Sequence, residues 1–154
     1  MKEKTCCLTG HRKIIDNTLE IKTSLKTVLV KLIESGYTYF GTGGALGFDC
    51  LAAETILELK NTYPHIKLIL VLPCYAHNRY WLKYEIEYFK KIKTQADKIK
   101  YTSKNYYKGC MQERNRHLVK HSSVCVCYSR RELNTARFWK ANFRTNFVKN
   151  LEIR

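Results

Sequence analysis

Apolar runs typical of strands alternate with helix-period stretches along the whole chain. The clearest run, residues 68–72, is five consecutive apolar residues followed by Pro73. An unbroken apolar run of this kind is typical of a parallel strand that is covered on both faces. Strands that alternate with helices form βαβ units. The pattern therefore predicts an α/β fold, Rossmann-like and doubly wound, with a mostly parallel sheet and helices on both faces.

The individual elements follow from the same alternation. Strands are predicted at residues 5–9, 37–40, 68–72, 99–102 and 124–128. Helices are predicted around residues 21–33, 46–59, 81–92 and 111–119. The third of these helices is marked by Trp81, Tyr84, Tyr88 and Ile92, and a last helix by Ala136, Trp139, Phe143, Phe147 and Leu151. A length of 154 residues predicts one domain over residues 1–154.

The charge of the chain favours anionic partners. Lys and Arg number 28 against 13 Asp and Glu, a net charge of +15. Such an excess attracts nucleotides and nucleic acids. No apolar run is long enough to span a membrane, and the first residues lack the apolar core of a signal peptide. We therefore expect a cytoplasmic protein that does not contact membranes.

The seven cysteines are expected to be free thiols. Their number is odd and no Cys-x-x-Cys pair occurs, which disfavours a disulfide framework or a zinc site. Cys125 and Cys127 alternate in a predicted strand, so their side chains should share one face. We expect buried cysteines, no bound metal ion and no cofactor.

A glycine-rich loop joins the second predicted strand to the second predicted helix. It consists of Gly41, Thr42, Gly43, Gly44, Ala45, Leu46 and Gly47. Glycines let backbone N–H groups approach an anion, and a helix N-terminus adds a favourable dipole. The spacing matches neither the dinucleotide fingerprint nor a P-loop. Because the strand–loop–helix context is right, we favour an anion-binding loop over a simple tight turn.

Asp49 lies in the first turn of the helix that follows this loop. It could complement the helix dipole, or it could meet a ribose hydroxyl or a cation. The sequence leaves these two roles open. In either case the helix start is expected to lower the pKa of Asp49.

Further candidate residues lie at the predicted carboxyl ends of other strands, where ligands of such sheets bind. They are Thr9, Gly10, His11 and Arg12 after the first strand, and Pro73 and Cys74 after the third. Arg12 could bind a phosphate group with two hydrogen bonds. A nucleophilic role for Cys74 is disfavoured because no helix start directly follows it.

The fourth predicted helix carries two more candidates, Arg114 and Asn115. Asn115 shares a helical stripe with Met111, Leu118 and Val119, so its amide is predicted to face inward. Arg114 starts the adjacent stripe. Both could tie loops together, or both could reach over the strand ends toward a ligand.

These stretches resemble the SLOG superfamily, named after the Smf/DprA and Lonely Guy proteins, and specifically its YpsA-like branch. The similarity lies in four stretches: CLTGHR at residues 7–12, GGALGFD with AAE at 43–54, residues 63–74, and GCMQERNR at 109–116. It covers about the first 128 residues. The resemblance implies a Rossmann-like fold, a nucleotide-derived ligand and a homo-oligomer, a dimer by likeness to relatives.

The C-terminal segment, residues 129–154, departs from the superfamily pattern. Relatives carry a Gly-Gly-Thr turn after the last strand, where this chain has Leu133, Asn134 and Thr135. Hydrolase members also pair a glutamate beyond that turn with an arginine, to which Arg114 would correspond. No glutamate follows Thr135 until Glu152. The resemblance therefore favours binding without turnover, and Glu54, Asp49 and Arg114 are only weak catalytic candidates.

Three functions follow from these observations. The leading hypothesis is a sensor or sequestering module that binds a nucleotide or an ADP-ribose-like ligand at the glycine-rich loop. The first alternative is a nucleotide N-glycosidase, which the missing glutamate disfavours. The second alternative is binding of single-stranded nucleic acid, which the net charge and the 11 tyrosines favour.

Overall fold

The computed structural model describes residues 1–14, 16–128 and 147–150. Its strands are β1 (Thr5–Gly10), β2 (Tyr39–Thr42), β3 (Lys67–Leu72), β4 (Lys98–Tyr101), β5 (Val124–Tyr128) and β6 (Phe147–Asn150). Its α-helices are α1 (Thr18–Glu34), α2 (Phe48–Leu59), α3 (Lys83–Gln95) and α4 (Cys110–Lys120), and a short 3-10 helix spans Lys2–Lys4. Over these residues the strands form one sheet in the order β4-β3-β2-β1-β5-β6, and all neighbouring pairs are parallel.

Helices cover both faces of this sheet, which confirms the predicted Rossmann-like α/β fold. The helices α1, α2 and α3 share the larger core with Cys6 and Leu8 of β1. The helix α4 packs on the opposite face, where Leu118 and Val119 join a smaller core that contains Cys7. The chain moves outward from β1 to β4 and then returns to the far side of β1. Right-handed crossovers therefore place α4 on the other face.

The first helix illustrates how the sequence builds the larger core. Asn17 caps α1 by accepting hydrogen bonds from the backbone N–H groups of Leu19 and Glu20 at 2.9 and 3.3 Å. The buried stripe of the helix then recurs every three or four residues, at Ile21, Leu25, Leu29 and Ile33. The chain leaves the helix through Gly36, whose φ of 104° is left-handed. These are the apolar positions that the sequence pattern predicts.

The helix α3 is found where it is predicted, but two of its marker residues do not enter the core. Phe89 and Ile92 are buried. Tyr84 and Tyr88, two turns and one turn before Ile92 along the helix, are exposed. Apolar periodicity cannot separate a core stripe from an aromatic surface, because tyrosine rings occur in both.

The predicted C-terminal helix is wrong at its described end. Phe147–Asn150 is the strand β6, which pairs in parallel with β5, so that Phe147 lies opposite Val124. The free edge of β5 offers backbone hydrogen bonds that outweigh a weak helical period. The other residues of that prediction, Ala136, Trp139, Phe143 and Leu151, lie outside the described residues.

All seven cysteines are free and buried, as predicted. The side chains of Cys125 and Cys127 share the α4 face of the sheet, with their Sγ atoms 3.5 Å apart. In the part of the chain that the structure describes, no helix is long and apolar enough to cross a membrane.

Candidate functional site

The candidate site lies at the carboxyl ends of β1, β2 and β3. Three loops meet there, at residues 10–12, 43–47 and 73–82. The N-terminal half of α4 enters from the opposite face of the sheet and brings Arg114 to the glycine-rich loop. Neighbouring crossovers diverge to opposite faces beside β1, and this divergence opens the crevice that ligands use in such folds.

Glycines in the loop are required by close approaches of other groups. A Cβ on Gly43 would lie 2.7 Å from Cζ of Arg114, so only glycine lets the guanidinium lie against the loop. Gly47 has a φ of 84°, and a Cβ there would lie 2.0 Å from the carbonyl oxygen of Arg12. The loop is therefore shaped by its contacts with both Arg12 and Arg114.

Other glycines of the predicted set serve packing. A Cβ on Gly41 would lie 3.2 Å from Leu118, and one on Gly44 would lie 2.4 Å from Leu72, inside the core. Gly10 is closed by the ring of Phe48, which would lie 2.6 Å from a Cβ. At both Gly41 and Gly44 a Cβ would point into the protein and not toward solvent, so these two glycines permit close packing at the end of β2.

Arg114 is the inward-facing residue of α4, and its side chain is 5% exposed. Its Nη1 donates a hydrogen bond to the carbonyl oxygen of Gly43 at 2.5 Å, and its Nε donates to Oδ1 of Asn115 at 2.9 Å. Burial lowers the pKa of Arg114, and the nearby charge of Asp49 opposes that effect. The guanidinium is thus a fixed cation beneath the loop.

The predicted orientation of Asn115 is corrected by this arrangement. The buried stripe of α4 runs through Cys110, Arg114 and Leu118, at intervals of four residues, whereas Asn115 is only half-buried. The sequence pattern predicts an inward-facing Asn115 because arginine is seldom fully buried, so Arg114 is not expected on the buried stripe. Asn115 instead orients the Arg114 side chain through the Nε hydrogen bond.

Asp49 is buried in the first turn of α2, 6% exposed. Its Oδ2 accepts a hydrogen bond from the backbone N–H of Ala45 at 3.2 Å. Burial raises the pKa of Asp49 to about 6, against the lowering effects of Arg114, the Ala45 N–H, Arg12 and the Thr42 hydroxyl. The expected lowering of this pKa is wrong, because desolvation of the carboxylate outweighs the helix dipole and the neighbouring cations.

Two polar atoms at the site make no well-formed hydrogen bond among the described residues, although the Thr42 hydroxyl is close enough to Asp49 to help lower the pKa of that carboxyl against the larger effect of burial. They are Oγ1 of Thr42, which is fully buried, and Oδ1 of Asp49. A buried donor or acceptor without a partner costs about 1–3 kcal/mol. Native proteins seldom leave such atoms unsatisfied, and a ligand is one physical reason for the exception.

The loop after β1 closes one side of the site. The carbonyl oxygen of His11 accepts a hydrogen bond from the Phe48 N–H at 3.1 Å, at the start of α2. The His11 ring is exposed and makes an edge contact with Tyr128. The Arg12 side chain is exposed, and its charge acts on both Asp49 and Arg114. Thr9, half-buried near the end of β1, pairs in register with Cys127.

The remaining candidates, Pro73, Cys74 and Glu54, make no described contact with Asp49 or Arg114. Pro73 and Cys74 are both buried, and burial together with the adjacent Cys110 thiol raises the pKa of Cys74, which disfavours a thiolate. Glu54 is half-buried further along α2, and its carboxylate lies near the Tyr88 hydroxyl. Burial first, and then the Glu54 carboxylate, raise the pKa of Tyr88.

His77 is a site residue that the sequence interpretation missed. It is half-buried in the loop after β3, and its ring contacts Trp81 and Phe89 edge-on, each with centroids 5.4 Å apart. Burial, followed by the charges of Arg114, Lys93 and Arg12, lowers the pKa of His77 to about 4. The imidazole is therefore neutral near pH 7. Its position in the loop at the carboxyl end of β3 is the signal that could have identified it.

Comparison with known proteins identifies the family of the chain. A family model named YpsA, described as the YspA SLOG family, matches residues 9–150. The chain belongs to this family. The matched range includes the glycine-rich loop, Asp49 and Arg114.

Relatives of this SLOG protein are found in several bacteria. A UPF0398 protein of Brevibacillus brevis is 33% identical over 121 residues, which cover 77% of this chain and 64% of that protein. An uncharacterized SPbeta prophage-derived protein, YoqJ, of Bacillus subtilis is 32% identical, covering 70% of this chain and 71% of its own. The match to a UPF0398 protein of Halalkalibacterium halodurans spans 55% of its length. This chain thus spans less than two thirds of some of its relatives.

A solved structure supports the same fold for this SLOG chain. The DNA processing protein A of Helicobacter pylori, described with a single-stranded DNA binding mode, superposes with a TM-score of 0.63. It is 22% identical, and the match covers 96% of this chain and 65% of that one. At this identity the similarity establishes the fold alone.

Proposed function

We propose that this protein binds a nucleotide-derived phosphorylated ligand at the glycine-rich loop, as a sensor or sequestering module without turnover. The observation that carries the proposal is the buried pair Thr42 Oγ1 and Asp49 Oδ1, which make no well-formed hydrogen bond to the described residues and lie near the charges of Arg114 and Arg12. A ligand hydroxyl would supply the hydrogen bond that this pair lacks.

The chemistry of these groups selects the ligand class. Arginine side chains beside a helix start favour a phosphate group. A carboxylate would repel that phosphate, so Asp49 is suited to accept a hydrogen bond from a hydroxyl group. Thr42 Oγ1 can donate or accept one further hydrogen bond. A ribose phosphate carries both a phosphate and free hydroxyls, and AMP and ADP-ribose contain this unit.

The proposal also states that the bound nucleotide is not hydrolysed. Among the described acids, Asp49 is the one whose charge acts on Arg114, and its pKa of about 6 would allow it to act as a proton donor. Its Oδ2 is held by Ala45, however, and the glutamate used by hydrolases has no counterpart before Glu152. We therefore propose binding, and treat Asp49 as the residue by which an N-glycosidase would reveal itself.

Calorimetric titration with AMP and ADP-ribose tests the proposal. Arg12→Ala should weaken binding about tenfold, since a charge-assisted hydrogen bond contributes about 1.5–3 kcal/mol. Arg116→Ala is the matched control, because Arg116 is exposed on α4 and removes the same charge. The proposed site would be refuted if neither AMP nor ADP-ribose binds, or if Arg12→Ala and Arg116→Ala lower the affinity equally.

A specific surface favours single-stranded nucleic acid as a second candidate. The Arg79 guanidinium lies over the rings of Tyr80 and Tyr106, with Cζ 4.7 and 5.5 Å from their centroids. Tyr80 is 85% exposed, and residues 98–112 contain four lysines and no acidic residue. Exposed rings next to cations suit stacked bases and phosphates. The single-stranded DNA binding of the Helicobacter pylori protein is consistent with this candidate.

Salt dependence distinguishes this candidate from the leading one. An oligonucleotide that contacts many phosphates should lose affinity steeply with salt, with a slope of about −0.7 per phosphate for single strands. Tyr80→Ala should then lower the affinity for the oligonucleotide and leave the affinity for AMP unchanged. Tight oligonucleotide binding without competition from AMP would replace the leading proposal.

Oligomeric state and location stay predictions. We propose a homo-oligomer, a dimer, by likeness to SLOG proteins, and a cytoplasmic location. Light scattering of the purified chain and fractionation of cells test them separately.

A further inference from the structure

An open groove lies beside the glycine-rich loop and is not used by the contacts described above. It has a volume of about 600 Å³ and is lined by Arg12, Lys13, Leu46, Gly47, Tyr84, Glu85 and Tyr88. Ligand pockets of small molecules typically span about 300–1,000 Å³. The groove is therefore large enough to hold a base and part of a sugar.

Two aromatic rings from α3 form the apolar side of the groove. Tyr84 and Tyr88 are four residues apart, so they lie on one side of the helix. Tyr84 is 70% exposed, and Tyr88 is 37% exposed. The Tyr88 hydroxyl lies near the Glu54 carboxylate of α2. Exposed aromatic rings at a concave surface are a common feature of sites that bind planar ligands.

The opposite side of the groove is continuous with the proposed phosphate site. Gly47 lies directly against the Arg12 carbonyl, so the loop after β1 and the glycine-rich loop form one wall. Arg12 lines the groove, and its charge also reaches Asp49 and Arg114. Lys13 adds a second cation at the rim. Arg12 thus lines the aromatic groove and also belongs to the proposed phosphate site, so the two are contiguous.

We propose that the groove between Tyr84, Tyr88 and Leu46 is a nucleobase subsite, which stacks the base of a nucleotide whose phosphate lies toward Arg12. This inference rests on the proposed function and specifies its ligand as one that carries an aromatic base. A sugar phosphate without a base would leave the tyrosine rings uncovered. Stacking of one base on an aromatic side chain is worth about 1–3 kcal/mol by alanine substitution.

The test compares ligands with and without a base by calorimetry. Wild-type protein should bind AMP or ADP-ribose at least about tenfold more tightly than ribose 5-phosphate. Tyr84→Ala should remove that difference and leave the affinity for ribose 5-phosphate unchanged. Tyr84→Phe should restore it, because the phenyl ring keeps the stacking surface. Since Tyr84 is mostly exposed, these variants should fold.

Tyr107→Ala is the control for Tyr84→Ala, because Tyr107 is also an exposed tyrosine but does not line the groove. If AMP, ADP-ribose and ribose 5-phosphate bind equally and Tyr84→Ala changes none of them, the base subsite is refuted and the phosphate site stands. If none of the three binds, both proposals fail. An equal loss in Tyr84→Ala and Tyr107→Ala also overturns the assignment of the groove.

Discussion

The guanidinium of Arg114 lies against the backbone of Gly43, to whose carbonyl oxygen its Nη1 donates a hydrogen bond at 2.5 Å. The two residues are 71 positions apart in the chain. The contact connects α4, on one face of the sheet, to the loop that begins α2 on the other face. The glycine-rich loop is therefore in contact with both helical layers of the fold.

Gly43→Ala should destabilise the protein by about 1–3 kcal/mol, as overpacking of a tight contact does. The added Cβ would lie 2.7 Å from Arg114 Cζ, so the guanidinium must move. Urea unfolding measures the change. In an Arg114→Ala background the same substitution should cost much less, because the obstructing group is gone. Equal costs in the two backgrounds would contradict the contact.

The raised pKa of Asp49 predicts a pH-dependent contribution to stability. Its folded pKa of about 6 exceeds the usual 3.8, so the native state binds the proton more tightly. This contribution is fully present below about pH 4 and is lost as the pH rises to about 6. The loss amounts to about 3 kcal/mol at 1.36 kcal/mol per pKa unit.

Asp49→Asn isolates this effect from that of other carboxyl groups. Lysine partners help to lower the pKa of Glu58 and of Asp97, so those groups act in the opposite direction. The free energy of unfolding of the variant minus that of the wild type should therefore increase between pH 4 and pH 6. A difference that is constant across this range would show that Asp49 titrates normally.

Nucleotides should be returned unchanged by the protein. Incubation with nucleoside monophosphates and ADP-ribose, followed by chromatography, should show no base release above that of Arg114→Ala. If base is released, Asp49→Asn should abolish the release and Glu54→Gln should not, because Asp49 is the acid beside Arg114. Release by the wild type would establish the N-glycosidase alternative.

The cysteines should react slowly in the native protein and completely once it is unfolded. All seven are buried and free. Alkylation in denaturant without reductant should add seven groups, as measured by intact mass, whereas brief native alkylation should add few. Fewer than seven adducts on freshly purified, unfolded protein would indicate an oxidised pair.

Local sequence patterns were sufficient for the alternating α/β plan and for the position of the glycine-rich loop. The run at residues 68–72 lies within β3, and Asp49 lies in the first turn of α2, as predicted. These features depend on apolar period and on backbone chemistry, both of which are local properties of the chain.

Tertiary structure decided how the site residues behave. Burial beneath the loop raised the pKa of Asp49, although a helix start alone predicts the opposite. The start of α4 at Cys110 turned Arg114, and not Asn115, into the sheet. Phe147–Asn150 is predicted as part of a helix, but it forms a strand because it pairs with the open edge of β5. Desolvation, helix rotation and strand pairing each depend on neighbours distant in the chain, which no local pattern contains.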